Sequence, residues 1–190
     1  MNIPEIQFEP FEKMARLSRR VVVSEKIDGT NATVYVDDSG RVFAGSRTRW
    51  ITPADDNYGF AAWVASHATE LCDLGPGLHR GEWWGQGIQR GYGITEKRFS
   101  LFNVIRWADS HPACCHVVPV LFDGIWDGTE PAMALSNLRL SGSEAAPGFM
   151  RPEGIVVFHV AGNVGFKKTL EKDEISKTQA ERMAAHGVPV

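Results

Sequence analysis

One lysine in the chain stands where it could act as a nucleophile. Lys26 lies in the polar segment EKIDGTN (residues 25–31), between two apolar stretches with the composition of β-strands. A lysine of ordinary pKa, about 10.4, is almost wholly protonated at neutral pH and cannot attack an electrophile. Partial burial and nearby cations both favour the neutral amine, and Lys167 and Lys168 could supply that charge. The alternative is a solvated loop lysine beside a turn-forming Asp-Gly pair.

Five further segments contain residue types that bind phosphate, ribose, base or metal. In chain order they are SRTR (46–49), RGEWWG (80–85), FSLFNV (99–104), PEGIVV (152–157) and GFKKT (165–169). Several motifs in a fixed order are more specific than any one of them. Together with KIDG at residues 26–29, they resemble the motifs of covalent nucleotidyltransferases, the superfamily of ATP-dependent DNA ligases, RNA ligases and messenger-RNA capping enzymes. EKIDGTN, SRTR and GEWWGQG are most similar to the RNA ligase branch that includes double-strand-sealing and RNA-editing ligases.

The resemblance implies a reaction in three steps. Lys26 would displace pyrophosphate from ATP and retain AMP, the AMP would pass to a polynucleotide 5′-phosphate, and a 3′-hydroxyl would then seal the strand. Magnesium, or manganese in its place, is the implied metal, because a hard cation is commonly shared between a carboxylate, water and nucleotide phosphates. The implied partners are RNA, with a nicked duplex or an RNA/DNA hybrid among the alternatives, and repair enzymes. Oligomeric state stays open.

The resemblance also implies roles for individual side chains. Glu82 would hydrogen-bond the ribose, Phe102 would stack on the adenine, and Glu153 would hold the metal. The other implied ligands are Arg47, Lys167 and Lys168 for phosphate and Glu25, Ile27, Asn31 and Val156 for the rest of the nucleotide. For the two glutamates the alternative is an ordinary ion pair with arginine, and for Phe102 it is a core position.

Two departures from the family pattern concern the terminal motif and the domain organisation. Many relatives have Lys-x-Lys, whereas Lys167 and Lys168 are adjacent, so which of the two contacts the α-phosphate stays open. Relatives usually carry a further C-terminal OB-fold or helical module, whereas about 20 residues follow the last motif here. We therefore expect one nucleotidyltransferase domain over residues 1–190, a length that suits a single well-buried domain.

The pattern of apolar residues favours an α+β fold of antiparallel sheets with flanking helices. Strands are predicted at residues 21–23, 32–36, 42–44, 78–84, 101–106, 117–122, 154–160 and 163–169. Helices are predicted over residues 58–71 and 131–140, and residues 171–190 are typical of a charged helix. Because the strands cluster without regular strand–helix alternation, antiparallel sheets are favoured over a doubly wound parallel sheet.

Composition and charge indicate the compartment and the kind of partner. The chain is 43% apolar and 23% charged, which is average for a globular protein, and it has no apolar run long enough to span a membrane. An acidic N-terminus unlike a secretory signal, and three cysteines that include the adjacent Cys114 and Cys115, favour free thiols in the cytoplasm. A net charge of −3 means that nucleic acid could bind only through a local basic surface.

Two further patterns have competing interpretations. One set of cations and tryptophans could form a basic face with stacking surfaces for nucleic acid, or it could consist of scattered surface charges and buried rings. Its members are Arg47, Arg49, Arg90, Lys97, Arg98, Arg106, Trp50, Trp83 and Trp84. The cluster of His111, Cys114, Cys115 and His116 lacks the paired C-x₂-C spacing of a zinc site. For function, the alternatives to an RNA ligase are a DNA ligase, a capping-type guanylyltransferase, or a catalytically silent nucleic-acid-binding module of the same fold.

Overall fold

The computed structural model describes residues 7–171 and residue 173, which form the expected α+β fold. In chain order the strands are β1 (Arg20–Lys26), β2 (Thr30–Val36), β3 (Val42–Gly45), β4 (Trp50–Ile51), β5 (Gly77–Gly85), β6 (Lys97–Leu101), β7 (Cys115–Val117), β8 (Val120–Ile125), β9 (Gly154–His159) and β10 (Val164–Thr169). The helices are α1 (Phe60–Ser66), α2 (Ala68–Leu71), α3 (Val104–Trp107) and α4 (Glu130–Ser141).

The strands form two sheets, and the chain passes between them directly after Lys26. One sheet has the order β4-β3-β2-β5-β6-β7 and the other has the order β10-β9-β1-β8. All the pairings are antiparallel except that of β6 with β7. Because β1 belongs to the four-stranded sheet and β2 to the six-stranded sheet, the turn at residues 27–29 lies at the boundary between them.

Helices cover one face of each sheet, and the other face is available to form a binding site. In the four-stranded sheet, Val21 and Val23 of β1 and Ile155 and Val157 of β9 pack against α4. In the six-stranded sheet, the buried face of β2 packs with α1 and forms the largest apolar core. A smaller cluster that includes Ile27 joins the two layers. Within the described residues, no helix combines the length and apolarity that a membrane crossing requires.

Several sequence-based element predictions were wrong, and local interactions explain them. The strand predicted at residues 101–106 ends at Leu101, because the Asn103 side chain accepts a hydrogen bond from the Arg106 backbone N–H and begins α3. The strand predicted at 117–122 is divided at Pro119 into β7 and β8, which belong to different sheets. The helix predicted at 58–71 is interrupted at His67. Most of the helix predicted at 171–190 lies outside the described residues.

Candidate active site

A cavity of about 630 Å³ lies between the two sheets. The four-stranded sheet contributes alternate residues of its strands, including Val22 and Ser24. The six-stranded sheet and the loops around it contribute the opposite wall. The predicted site residues that line the cavity are Glu25, Lys26, Ile27, Asn31, Arg47, Glu82, Phe102, Val156 and Lys167. Motifs that lie up to about 140 residues apart in the chain therefore meet in one space.

Lys26 is positioned by the alternation of side chains along β1. Val22, Ser24 and Lys26 face the cavity, whereas Val21 and Val23 face α4. At the end of the strand, Nζ of Lys26 donates a hydrogen bond of 2.6 Å to Oε2 of Glu153. The lysine side chain is 24% exposed and the glutamate side chain is 4% exposed, so the ion pair lies at the cavity with one partner accessible to a ligand. The predicted nucleophile and the predicted metal carboxylate are thus in direct contact.

Glu82 lies on β5 and is buried against the turn that follows Lys26. Its carboxylate accepts hydrogen bonds from the Gly29 N–H at 3.0 Å and from Nδ2 of Asn31 at 3.3 Å. Burial is the main cause that raises the pKa of Glu82 from 4.5 to about 7, and the nearby Lys26 charge opposes that rise. A carboxyl group with this pKa can accept or donate hydrogen bonds near neutral pH, which suits contact with ribose hydroxyls.

Gly29 permits the close approach between the turn and β5. A Cβ atom at this position would lie 2.4 Å from the carbonyl oxygen of Trp83 and 2.7 Å from the Cβ of Trp84. No side chain fits there without moving the β5 backbone. The glycine of the KIDG segment is therefore required by packing, and the close approach that it permits brings the turn after Lys26 next to Glu82.

Arg90 and Tyr92 hold the other side of this turn, and sequence reasoning did not assign them to the site. Nε of Arg90 donates to Oδ2 of Asp28 at 3.0 Å, and its Nη1 donates to the Arg151 carbonyl at 3.0 Å. The buried Tyr92 hydroxyl accepts the Asp28 N–H at 2.8 Å. Arg90 thus connects the turn at residues 27–29 to the segment that leads into Glu153. No spacing or residue pattern could have indicated this, because the 86–96 loop reaches the turn only in the folded chain.

Glu25 borders the cavity, but its carboxylate is held on the opposite face of β1. It accepts hydrogen bonds from the Ser143 hydroxyl at 2.6 Å and from the N–H groups of Glu144 and Ala145 at 2.8 and 2.9 Å. Burial raises the pKa of Glu25, and these three donors oppose that rise. The Glu25 carboxylate therefore anchors β1 to the segment after α4, while the residue itself still lines the cavity.

The adjacent lysines of β10 face opposite sides of their strand. Lys167 is paired in register with Val156, and both line the cavity. Lys168 is paired with Ile155, whose side chain belongs to the core beside α4, and its Nζ lies 3.6 Å from Oδ2 of Asp173. Strand alternation separates the two lysines. Of the two lysines, Lys167 therefore lines the cavity, and the placement of Lys168 does not support the role implied for it.

Arg47 and Phe102 line the part of the cavity that the six-stranded sheet and its loops contribute. Arg47 is exposed and forms no ion pair with the part of the chain that the structure describes. Phe102 is 42% exposed, which is not a core position. A cationic group and an open aromatic face are thus both available to a nucleotide.

The predicted basic face does not form as one surface. Trp83 and Trp84 are buried, and only Trp50 of the three tryptophans is open, at 58% exposure. Most of the cations have partners in the protein: Arg49 pairs with Asp55, Arg90 with Asp28, Arg98 with Glu96, Lys97 donates to the Tyr58 carbonyl and Arg106 donates to the Leu74 carbonyl. The interpretation as scattered charges and buried rings is correct for most of this set.

The donor set near Lys26 fits a metal that is shared with a ligand. Among residues 7–171 and 173, no three His, Cys, Asp or Glu side chains converge on a possible metal position. Glu153 nevertheless offers a buried carboxylate in direct contact with Lys26, which lines the cavity. Magnesium typically takes one or two protein carboxylates, with nucleotide phosphates and water as its other ligands. This arrangement therefore fits Mg²⁺ or Mn²⁺ only in company with a nucleotide.

Comparison with protein families gives a match over most of the chain. The sequence model of a family described as RNA ligase matches residues 19–190. That range includes Lys26, Glu82, Phe102, Glu153 and Lys167. No curated protein matches the chain.

Solved structures with the same fold are RNA ligases from Naegleria gruberi. A mutant with ATP and Mn matches with a TM-score of 0.62 and 21% identity, over 87% of this chain and 52% of that chain. A mutant with AMP and Mn matches with a TM-score of 0.56 and 20% identity, over 80% and 50% of the two chains. The ligase with PPi matches with a TM-score of 0.57 and 20% identity, over 90% and 52%. The present chain thus spans about half the length of these proteins.

Proposed function

The chain belongs to the RNA ligase family, and from that premise we propose that it is an ATP-dependent RNA ligase that stores AMP on Lys26. The observation that carries the proposal is the contact between Lys26 and Glu153 at the wall of a nucleotide-sized cavity. That cavity also presents Glu82, Phe102 and Lys167. Nucleophile, ribose acceptor, base platform and phosphate cation are then all within one space.

In the proposed first step, the Lys26 amine attacks the α-phosphorus of ATP. A P–N bond forms and the P–O bond to pyrophosphate breaks. The ammonium loses one proton to solvent before the attack, and the nitrogen loses a second proton to solvent as the phosphoramidate forms. Lys167 neutralises phosphate charge in the transition state, where such charge is greatest. A divalent metal held by Glu153 and the phosphates would supply further charge neutralisation there. The Glu153 carboxylate holds the resting lysine in place until the nucleotide binds.

In the later steps, AMP is transferred and then released. An oxygen of the RNA 5′-phosphate attacks the phosphorus of lysyl-AMP, and the P–N bond breaks to regenerate Lys26. A 3′-hydroxyl then attacks the activated 5′-phosphate, a phosphodiester bond forms, and AMP leaves. In this proposal Arg47 binds the phosphates of both the nucleotide and the RNA end, which is supported by its position in the lining of both spaces.

We place the reaction in the cytoplasm, together with enzymes that prepare RNA ends for repair. The free thiols of Cys72, Cys114 and Cys115 support a reducing compartment. Sealing requires a 5′-phosphate and a 3′-hydroxyl, so ends with other chemistry must first be converted by other enzymes.

The decisive experiment is covalent labelling with α-labelled ATP and magnesium. Wild-type protein should become labelled, and Lys26→Ala should show no label, because no other residue replaces the nucleophile. Lys168→Ala is the matched control and should label like the wild type, since Lys168 faces away from the cavity. Equal labelling of wild type and Lys26→Ala would refute the proposal.

Competition and substrate panels test the alternatives. Unlabelled ATP should abolish labelling, whereas competition by GTP or NAD would indicate a capping enzyme or another nucleotide. Nicked duplexes with RNA or DNA on each side of the break, and single-stranded RNA, report the strand preference. Absence of any covalent label in wild-type protein would favour the silent binding module.

A further inference from the structure

A second groove, of about 580 Å³, continues from the nucleotide cavity across the six-stranded sheet. The two spaces share Asn31, Arg47 and Phe102 and therefore adjoin each other. The floor of the groove is the sheet face opposite to α1. Thr33 lies on this face of β2, whereas its neighbours Ala32 and Val34 are buried in the core.

One row of residues crosses this groove from edge to centre. Trp50 of β4 pairs with Gly45, Gly45 pairs with Thr33, and Thr33 pairs with Arg80 of β5. The Arg80 carbonyl accepts the N–H of Phe102, which extends the row to the nucleotide cavity. Three strand spacings of about 4.8 Å separate Trp50 from Arg80, or about 14 Å. The small residues Gly45 and Thr33 therefore lie between the Trp50 ring and the Arg80 cation.

Trp50 is held flat against the sheet with one side open. Its indole covers Gly45, where an added Cβ would lie 3.2 Å from the ring. Tyr35 flanks it at a ring-centre distance of 5.9 Å. The side chain is nevertheless 58% exposed, although tryptophan is usually buried. A supported and exposed indole is suited to stack with a planar ligand.

Arg80 is exposed on the same face and has no ion pair or hydrogen bond from its side chain to any residue in the described ranges. Arg49, at the same groove, is already paired with Asp55. Among the described cations at this face, Arg47 and Arg80 are therefore the ones available to an anion. No acidic side chain lines this groove in the described structure.

We propose that this groove binds an unpaired segment of the RNA strand next to the break, with a base stacked on Trp50 and a phosphate bound by Arg80. The proposal rests on the ligase function above and specifies the form of its substrate. Both faces of a base inside a duplex are covered by neighbouring bases, so only an unpaired or terminal base can stack on Trp50. The site thus favours single-stranded or frayed ends over a fully paired nick.

The test compares binding of a short, fluorescent, 5′-phosphorylated single-stranded RNA by anisotropy. Trp50→Ala should raise Kd on the order of tenfold, as is typical for loss of one base–aromatic stack. Arg80→Ala should weaken binding and reduce the slope of log Kd against log salt by about one, because one phosphate contact is lost. The matched controls are Phe11→Ala and Arg139→Ala, which remove an exposed ring and an exposed cation away from the groove.

Covalent labelling of the same variants separates failure of this proposal from failure of the ligase function. Trp50→Ala and Arg80→Ala should form lysyl-AMP at the wild-type rate and transfer AMP to RNA more slowly, which also shows that they are folded. If both variants bind RNA and transfer AMP like the controls, the groove proposal is wrong while the ligase function stands. If Trp50→Ala weakens RNA binding but wild-type protein never labels, the ligase function fails and the binding groove stands. An equal loss of affinity for single strands and for fully paired nicks would overturn the proposed preference for unpaired ends.

Discussion

The two sheets contribute different kinds of group to the same cavity. The four-stranded sheet supplies Lys26 and Lys167, and the carboxylate of Glu153 lies immediately before its strand β9. The six-stranded sheet supplies Glu82, which is closer to neutral at pH 7 because burial raises its pKa to about 7. Phe102, just after β6, adds an aromatic face. The proposed nucleophile and the groups proposed to bind metal and phosphate are thus on one side, and groups suited to recognise ribose and base are on the other.

Because of this difference, bond formation and nucleotide affinity should be separable by mutation. Changes on the four-stranded side should alter the rate of the covalent step more than the affinity for nucleotide. Changes on the six-stranded side should do the reverse. The turn at residues 27–29 connects the two sheets, and Arg90 and Gly29 fix its geometry.

The largest effect that tests this comparison is expected from Glu153→Gln. The change removes the charge of the carboxylate beside Lys26 and keeps its shape, so the rate of lysyl-AMP formation should fall about a hundredfold or more. Nucleotide affinity, measured by calorimetry in EDTA so that no metal contributes, should stay within about threefold of wild type. Glu144→Gln is the matched control, since that side chain is exposed away from Lys26. A loss of affinity as large as the loss of rate would break the comparison.

An intermediate and opposite effect is expected from Phe102→Ala. Loss of one base–aromatic stack should raise the Kd for ATP on the order of tenfold. The labelling rate at saturating ATP should fall much less, because Phe102 touches no reacting atom. Phe43→Ala is the control: both rings are 42% exposed, but Phe43 lies outside both cavities. The comparison would fail if Phe102→Ala lowered the saturated rate and left Kd unchanged.

The last prediction concerns stability and not activity: the pH dependence of unfolding should differ between wild type and Glu82→Gln. Because folding raises the pKa of Glu82 from 4.5 to about 7, the folded state binds more protons than the unfolded state between these values. Stability from this group is complete below about pH 4.5 and is lost as the pH rises to about 7, up to about 3 kcal/mol. Glu82→Gln lacks this loss, so its melting temperature should rise relative to wild type by up to about 6–12 °C across that range. If the melting temperatures of the two proteins changed in parallel with pH, in the absence of nucleotide, the pKa of the Glu82 carboxyl would not be raised by folding.

The sequence predicted the parts of the fold that depend on short-range pattern. The apolar run at residues 21–23 and the alternation at 32–36 correspond to β1 and β2, and residues 131–140 lie within α4. Lys26 was identified through its motif, and its contact with Glu153 required only that both motifs meet at one cavity. Such features are determined by residue types that are close in sequence or by ordered motifs.

What the sequence could not predict depends on which side chains face each other after folding. Residues 117–122 are apolar enough to predict one strand, yet the chain is divided at Pro119. The residues before it belong to β7 of the six-stranded sheet and those after it to β8 of the four-stranded sheet. The Glu25 carboxylate is held by Ser143, which lies 118 residues away in the chain. Tertiary contacts of this kind leave no periodic signal, so composition and spacing alone gave no basis for them.

Because Lys167 and Lys168 lie on opposite faces of β10, the function of the β9–β10 hairpin depends on its exact register. Inserting or deleting one residue at its turn, near Asn163, would shift every following side chain of β10 to the opposite face. Lys168 would then project into the cavity and Lys167 would point towards α4. A change of two residues would preserve the facing of the strand. Any insertion or deletion in this hairpin should therefore comprise an even number of residues.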